Sequence, residues 1–160
     1  MRRHILTLFS TLLLSVSGAW AGPFEDAMFA YEKGDYAAAV GMLRPLAEQG
    51  NVTAQATLAL LYDTGHGVPQ NLGEAVKWYR LAAAQGDKSA RYNLGQMYVT
   101  GQGVPQDNVR AYMWLDLSVA AGNATAAADR DAVAKKMSPK QIAAAKQLVS
   151  ECQQAKKACD

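Results

Sequence analysis

Cysteine and histidine are scarce in this chain, two of each in 160 residues. A zinc site needs several His, Cys or carboxylate ligands at convergent spacing. Cys152 and Cys159 sit at the end, and His4 and His66 lie far apart, so no metal site and no cofactor is expected. The nucleophile elbow Gly-x-Ser-x-Gly, the phosphate loop Gly-x(4)-Gly-Lys-Ser/Thr and the Ser-x-x-Lys motif are all missing, which argues against an enzyme. A surplus of positive charge is missing too. Lys and Arg number 16 against 14 Asp and Glu, and Arg2 and Arg3 account for the whole difference. A nucleic-acid binder needs that surplus to displace phosphate counterions, so nucleic acid is not an expected partner. β-Branched residues are sparse and Ala is abundant, which favours helices over strands. No apolar run reaches the roughly 20 residues that span a bilayer.

The longest apolar run covers residues 5–16, broken only by Thr and Ser. Met1, Arg2, Arg3 and His4 precede it, and Ser17-Gly18-Ala19-Trp20-Ala21 follows with a small-x-small ending. This is the layout of a secretory signal peptide, with cleavage expected after Ala21 and no membrane insertion afterwards. Residues 22–160 then form one domain, exported to the periplasm or beyond. No Cys follows the cleavage point to carry a lipid. The asymmetry of the remaining charge, 7 basic and 4 acidic residues in 126–160, reads as a solvated terminal helix.

An internal period settles the architecture. Residues 54–89 align without gaps onto 90–125, a shift of 36, with 14 identities. Gly65-His66-Gly67-Val68-Pro69-Gln70 recurs as Gly101-Gln102-Gly103-Val104-Pro105-Gln106. Each unit reads as two antiparallel helices. Leu58, Leu61 and Tyr62 share one face of the first. Gly65 ends it and Pro69 keeps the connection a loop; both Gly-x-Gly pairs are taken as helix stops. Asn71 caps the second helix, with Glu74 completing a capping box. Ala75, Trp78, Tyr79 and Ala82 form its buried face. In the next unit these roles pass to Leu94, Met97, Tyr98, Gly101, Pro105, Asp107, Ala111, Trp114 and Leu115. Ala59/Gly95 and Ala75/Ala111 fall where paired helices cross. The regular spacing of Trp78, Trp114, Tyr62 and Tyr98 assigns them to the core. Val68 and Val104 tuck the loops inward.

The flanks vary the same unit. Residues 24–33 and the stretch led by Asp35 predict a hairpin over 24–50 that lacks the long loop. Pro45 inside its second helix predicts a kink against residue 41. Residues 124–136 predict a polar helix. Ser138-Pro139-Lys140-Gln141 predicts a capped start to the last one, closing a C-terminal cap over 126–160.

The pattern A-x(3)-L-[AG]-x(2)-Y-x(2)-G-x-G-V-P-Q-[ND]-x(3)-A-x(2)-W resembles the Sel-one-like repeat, a relative of the tetratricopeptide repeat. The resemblance implies an all-α solenoid, an α/α superhelix of antiparallel helix pairs that scaffolds protein complexes, often in envelope signalling or secretion. It implies a protein or peptide partner held by an adaptor, or a structural place in an envelope or glycan-associated assembly. Cysteine-rich relatives have been linked to β-lactam binding or hydrolysis; those carry a Cys pair in every repeat, and this chain has none in its repeats.

In the related fold the first helices line a groove. Carried over by register, the groove positions are Thr53, Ala56, Leu60 and Asp63, then Ser89, Tyr92, Gln96 and Val99. They differ between repeats while the core pairs agree. Tyr92 is expected to be an exposed anchor.

Cys152 and Cys159 leave two arrangements open. On a continuous helix, seven residues span about 10 Å, while a disulfide needs Cα atoms within roughly 7 Å. Either the helix ends early and the tail folds back, or the thiols stay apart. An oxidising destination and an even count favour the pair, with the helix broken before Cys159.

Overall fold

The computed structural model describes residues 22–155 and residue 159; the leader assigned to residues 1–21 lies outside them. Eight α-helices and no strands occur among the described residues: α1 Pro23–Glu32, α2 Tyr36–Glu48, α3 Val52–Thr64, α4 Leu72–Ala84, α5 Lys88–Thr100, α6 Asn108–Ala120, α7 Thr125–Ala134 and α8 Pro139–Ala155. Helices α1/α2, α3/α4 and α5/α6 form hairpins, and α2 on α3 and α4 on α5 join one hairpin to the next. Both α7 and α8 lean on α6. This is an α/α solenoid of consecutive helix pairs.

Local chemistry sets the boundaries. Side chains of Asp35, Asn51, Asn71, Asp87 and Asp107 accept hydrogen bonds from first-turn amides of α2 to α6, satisfying donors that the helix leaves orphaned. Gly65 and Gly101 close α3 and α5 at φ of 73° and 76°, a left-handed conformation that costs Gly nothing.

Half of the capping box expected at α4 does not form. The Asn71 amide donates to the Tyr62 carbonyl at 2.9 Å, as the Asp107 amide does to Tyr98 at 3.0 Å. This bond ties the loop's end to the preceding helix, and Glu74 pairs with Lys77 instead. The reciprocal box forms at α8, where Ser138 and Gln141 exchange bonds of 2.9 and 3.2 Å. Helix α2 runs through Pro45 without interruption, with Pro45 and Gly41 on its exposed side.

Only the first glycine of each Gly-x-Gly pair is a helix stop. The second presses the loop onto the hairpin before it. A Cβ on Gly67 would stand 2.5 Å from the Tyr36 carbonyl oxygen, and one on Gly103 would stand 2.8 Å from that of Leu72. Tyr36 and Leu72 open α2 and α4, so each loop rests on the start of the preceding hairpin's second helix.

The core takes the predicted faces: Leu58, Leu61, Tyr62, Ala75, Trp78, Tyr79 and Ala82, then Leu94, Met97, Tyr98, Ala111, Trp114 and Leu115, are all buried. Gly95 is a crossing point, since a Cβ there would lie 2.7 Å from Leu115 Cγ.

Polar groups stitch unit to unit with the same 36-residue period. Arg44 donates to the Tyr62 hydroxyl and Arg80 to that of Tyr98. The next position is Asp116, which receives Arg130 from α7 at 2.8 Å. The ladder thus changes sign where the repeats give way to the cap. A second ladder runs through Gln55, which reaches the Ala47 carbonyl and accepts from Gln85. Its counterpart Arg91 bonds the Ala83 carbonyl and reaches Leu117 directly.

Candidate partner-binding recess

The first helices of the hairpins, α1, α3 and α5, share one face, because each loop returns the chain to the same side. Between them lies an open recess of about 240 Å³. Thr53, Ala56 and Leu60 of α3 and Ser89 of α5 line it. These four groove positions, assigned from register, are therefore brought together. Asp63 stands one turn beyond Leu60.

The recess also holds groups that the sequence reading left out. Tyr31 enters from α1, Asn93 from α5 and Tyr79 from α4. Tyr79 is 1% exposed, as a core residue should be, yet its ring crosses the hairpin and its hydroxyl lies 3.5 Å from Asp63 Oδ2. The signal was the mismatch between Tyr79 and Leu115 at equivalent positions. A phenol in one unit where the next has a hydrocarbon needs a polar partner, and Asp63, whose counterpart is Val99, supplies it.

The electrostatics follow from burial. Desolvation and the neighbouring Asp63 charge push the Tyr79 phenol well above its ordinary range. Desolvation raises the Asp63 carboxyl, partly offset by the hydrogen bond from Tyr79. The recess therefore offers the Tyr31 and Tyr79 phenols, the Asn93 amide and the hydroxyls of Thr53, Thr57 and Ser89 around an apolar wall, with the Asp63 carboxylate at the Tyr79 hydroxyl. It is suited to backbone and side-chain hydrogen bonding rather than proton transfer near neutral pH.

The second half of the predicted groove is arranged differently. Tyr92 is not the exposed anchor expected. It is half-buried, and its hydroxyl donates to Asp129 of α7 at 2.9 Å. That bond, with desolvation, raises the Tyr92 phenol above its usual range. Gln96 donates to the same carboxylate at 2.6 Å and to the Tyr92 oxygen at 2.9 Å. Val99 is half-buried and packs on the core. Asp129 of the cap helix engages the side chains of both Tyr92 and Gln96, and no repeat signal announced it because α7 lies outside the period. His66 does not line the recess; its ring lies 4.9 Å from that of Tyr36. Cys152 and Cys159 are joined by a disulfide, with Cα atoms 5.2 Å apart. Among the described residues no group of three or more His, Cys, Asp or Glu is placed to hold a metal, and no helix is long and apolar enough to cross a membrane.

The Sel1 repeat family model matches residues 52–87 and 88–123. The chain carries two Sel1 repeats. The family's boundaries fall two residues before those read from the internal alignment, so each Sel1 unit begins with the first residue of α3 or α5. Among solved structures, the protective antigen c5321 of uropathogenic Escherichia coli strains, described as displaying an SLR fold, is similar over 85% of this chain, with a TM-score of 0.78 and 29% identity. A Sel1 repeat protein from Oxalobacter formigenes is similar over 65%, with a TM-score of 0.63 and 36% identity. This chain spans 30% and 31% of those two proteins. No curated protein matches it.

Proposed function

We propose that this protein is an exported binding module that holds a protein or peptide segment against α1, α3 and α5, without catalysing a reaction. Sel1 repeats generally mediate protein–protein interaction, and the recess between three successive first helices carries the assignment to this face. Its lining varies from repeat to repeat, while the core pairs Leu58/Leu94, Tyr62/Tyr98, Ala75/Ala111 and Trp78/Trp114 are identical. Its donors and acceptors, Thr53, Ser89, Asn93 and the Tyr79 hydroxyl, suit an extended backbone that needs its own polar groups satisfied. Export is supported by the layout of residues 1–21 and by the cysteine pair, since such bonds persist in oxidising compartments. Periplasmic delivery would place the module beside envelope assemblies.

The test is capture from envelope extract by the mature protein and by a Thr53→Arg/Ser89→Arg variant. Both positions are exposed, so long side chains fill the recess without entering the core. Expected is a specific partner with the wild type, lost with the variant, at equal denaturation midpoints. Equal recovery by both proteins overturns the assignment of this face.

A further inference from the structure

The sequence period ends before α7, but the packing carries it one helix further. Helix α7 lies on α6 as α3 lies on α2 and α5 on α4. Ala54, Ala90 and Ala126, spaced by 36 residues, are all fully buried. The gap between α3 and α5 therefore has a counterpart between α5 and α7. The same shift maps Ala56 onto Tyr92, Leu60 onto Gln96 and Asn93 onto Asp129.

One of the two gaps is filled from within and the other is open. Between α5 and α7, the Tyr92 side chain crosses the gap. Its hydroxyl donates to Asp129 at 2.9 Å and accepts from Gln96 at 2.9 Å. Between α3 and α5, Ala56 supplies only a methyl group, and Ala56, Leu60 and Asn93 all line the open recess of about 240 Å³. The three side chains that meet in one gap are thus replaced, one by one, by three that border an empty space in the other. That space is the one a tyrosine side chain occupies a unit further on. A hydrogen-bonding group still stands at its far end, where the Asn93 amide takes the place of the Asp129 carboxylate.

We propose that the recess receives a tyrosine side chain of the bound protein or peptide segment, with the ring on Ala56 and Leu60 and the hydroxyl on Asn93. The inference rests on the reading that the face of α1, α3 and α5 binds such a segment, and it names the residue that anchors it. Leu60 in place of Gln96 makes the wall beside the ring more apolar. Tyr31 adds a second ring from α1, and aromatic rings pair favourably when offset or edge-on. Tyrosine is preferred to phenylalanine because Asn93 is half-buried. A ring without a hydroxyl covers that amide and leaves it unpaired.

The test is a titration of the mature protein with N-acetyltyrosine amide, followed by nuclear magnetic resonance at the Asn93 side-chain amide and the Ala56 methyl, with N-acetylphenylalanine amide as the comparison. Expected are saturable shifts of both signals at millimolar probe. The tyrosine probe should bind about threefold or more tighter than the phenylalanine probe, the worth of one neutral hydrogen bond. Asn93→Ala should erase that preference. Ala56→Tyr fills the recess from within, as Tyr92 fills the next gap, and should block the probe; Thr53→Arg/Ser89→Arg serves as the blocked form if that variant unfolds. The proposal fails if the tyrosine probe gives no saturable shift, if the phenylalanine probe binds as tightly, or if a folded, blocked form binds the probe as the wild type does. The binding face is judged separately. A partner captured by the wild type and lost with Thr53→Arg/Ser89→Arg sustains that face even where the tyrosine probe fails, and the failure then overturns the anchor alone.

Discussion

Gly67 lies so close to Tyr36 that a side chain on it would enter the backbone of α2, 2.5 Å from the Tyr36 carbonyl oxygen and 2.7 Å from the Ala37 nitrogen. Gly65, two residues earlier, has the same left-handed backbone but only ordinary or slightly tight neighbours, the nearest being Gln70 Cβ at 3.2 Å. Alanine at either site meets a left-handed penalty of about 1–2 kcal/mol. At Gly67 it also meets overlap, worth about a further 1–3 kcal/mol. Gly67→Ala is therefore expected to lower the urea midpoint distinctly more than Gly65→Ala. Equal losses would show that the loop does not rest on α2.

The two tryptophans test the core. Trp114 is 1% exposed and Trp78 is 4% exposed. Truncating such residues to Ala typically costs about 3–5 kcal/mol, against a total of roughly 5–15 kcal/mol for a domain. Each single variant should unfold at a much lower denaturant concentration than the wild type, and an unchanged midpoint for either would remove that Trp from the core.

The contrast between these sites shows what was legible in the sequence. The core was, because burial follows period, and a 36-residue shift repeats Leu58, Tyr62, Ala75 and Trp78 at Leu94, Tyr98, Ala111 and Trp114. Helix ends were, because Asn, Asp, Ser and Gly act locally. The second glycine of each loop was not, since its neighbour, Tyr36 or Leu72, lies about 31 residues back in another hairpin. The recess was half legible. Register put Thr53, Ala56, Leu60 and Ser89 on one face, where they line the recess, but Tyr79 spans from core to recess. Tyr92 was misread as exposed because Asp129 reaches it from a helix outside the repeat.

Tyr92 now has a structural prediction of its own. Removing its hydroxyl breaks the bond to Asp129 and loosens α7. Tyr92→Phe should cost about 1 kcal/mol, the net worth of one such bond. In a double-mutant cycle with Asp129→Ala the pair should show a coupling of about 0.5–1.5 kcal/mol. Additive losses would mean that α7 is held without this contact.

Asp63 gives a pH dependence whose sign is fixed. Its carboxyl titrates above the ordinary 3.8, chiefly because burial disfavours the charge. The folded state therefore binds the proton more tightly than the unfolded chain, and stability rises as pH falls through the window between the raised value and 3.8. Above that window the full cost of the buried charge is present. Asp63→Asn removes it, so the variant should be more stable than the wild type at pH 7, with the gap shrinking as pH is lowered towards 4. A gap that is constant across that range would place the Asp63 carboxylate in free solvent.

The disulfide makes the last test, because it separates the cap from the core. Helix α8 extends to Ala155, and Cys159 returns to within 5.2 Å of Cys152, Cα to Cα, where a helix continued to residue 159 would hold the pair about 10 Å apart. Both cysteines are half-buried at the edge of the apolar cluster, at the end of the chain. The bond closes a loop between residues only seven apart in sequence, next to the last turn of α8. Reduction of the folded protein is expected to shift its global unfolding by less than about 1 kcal/mol, well short of the 2–5 kcal/mol typical of small secreted domains that depend on such bonds. Over the same change, hydrogen exchange at residues 150–155 should accelerate at least tenfold, since the fraying of a terminal turn is then unopposed. Unreduced protein isolated from the periplasm and denatured should titrate no free thiols. A loss of several kcal/mol on reduction would make the bond a support of the whole solenoid, and two free thiols per chain would show that the tail does not fold back.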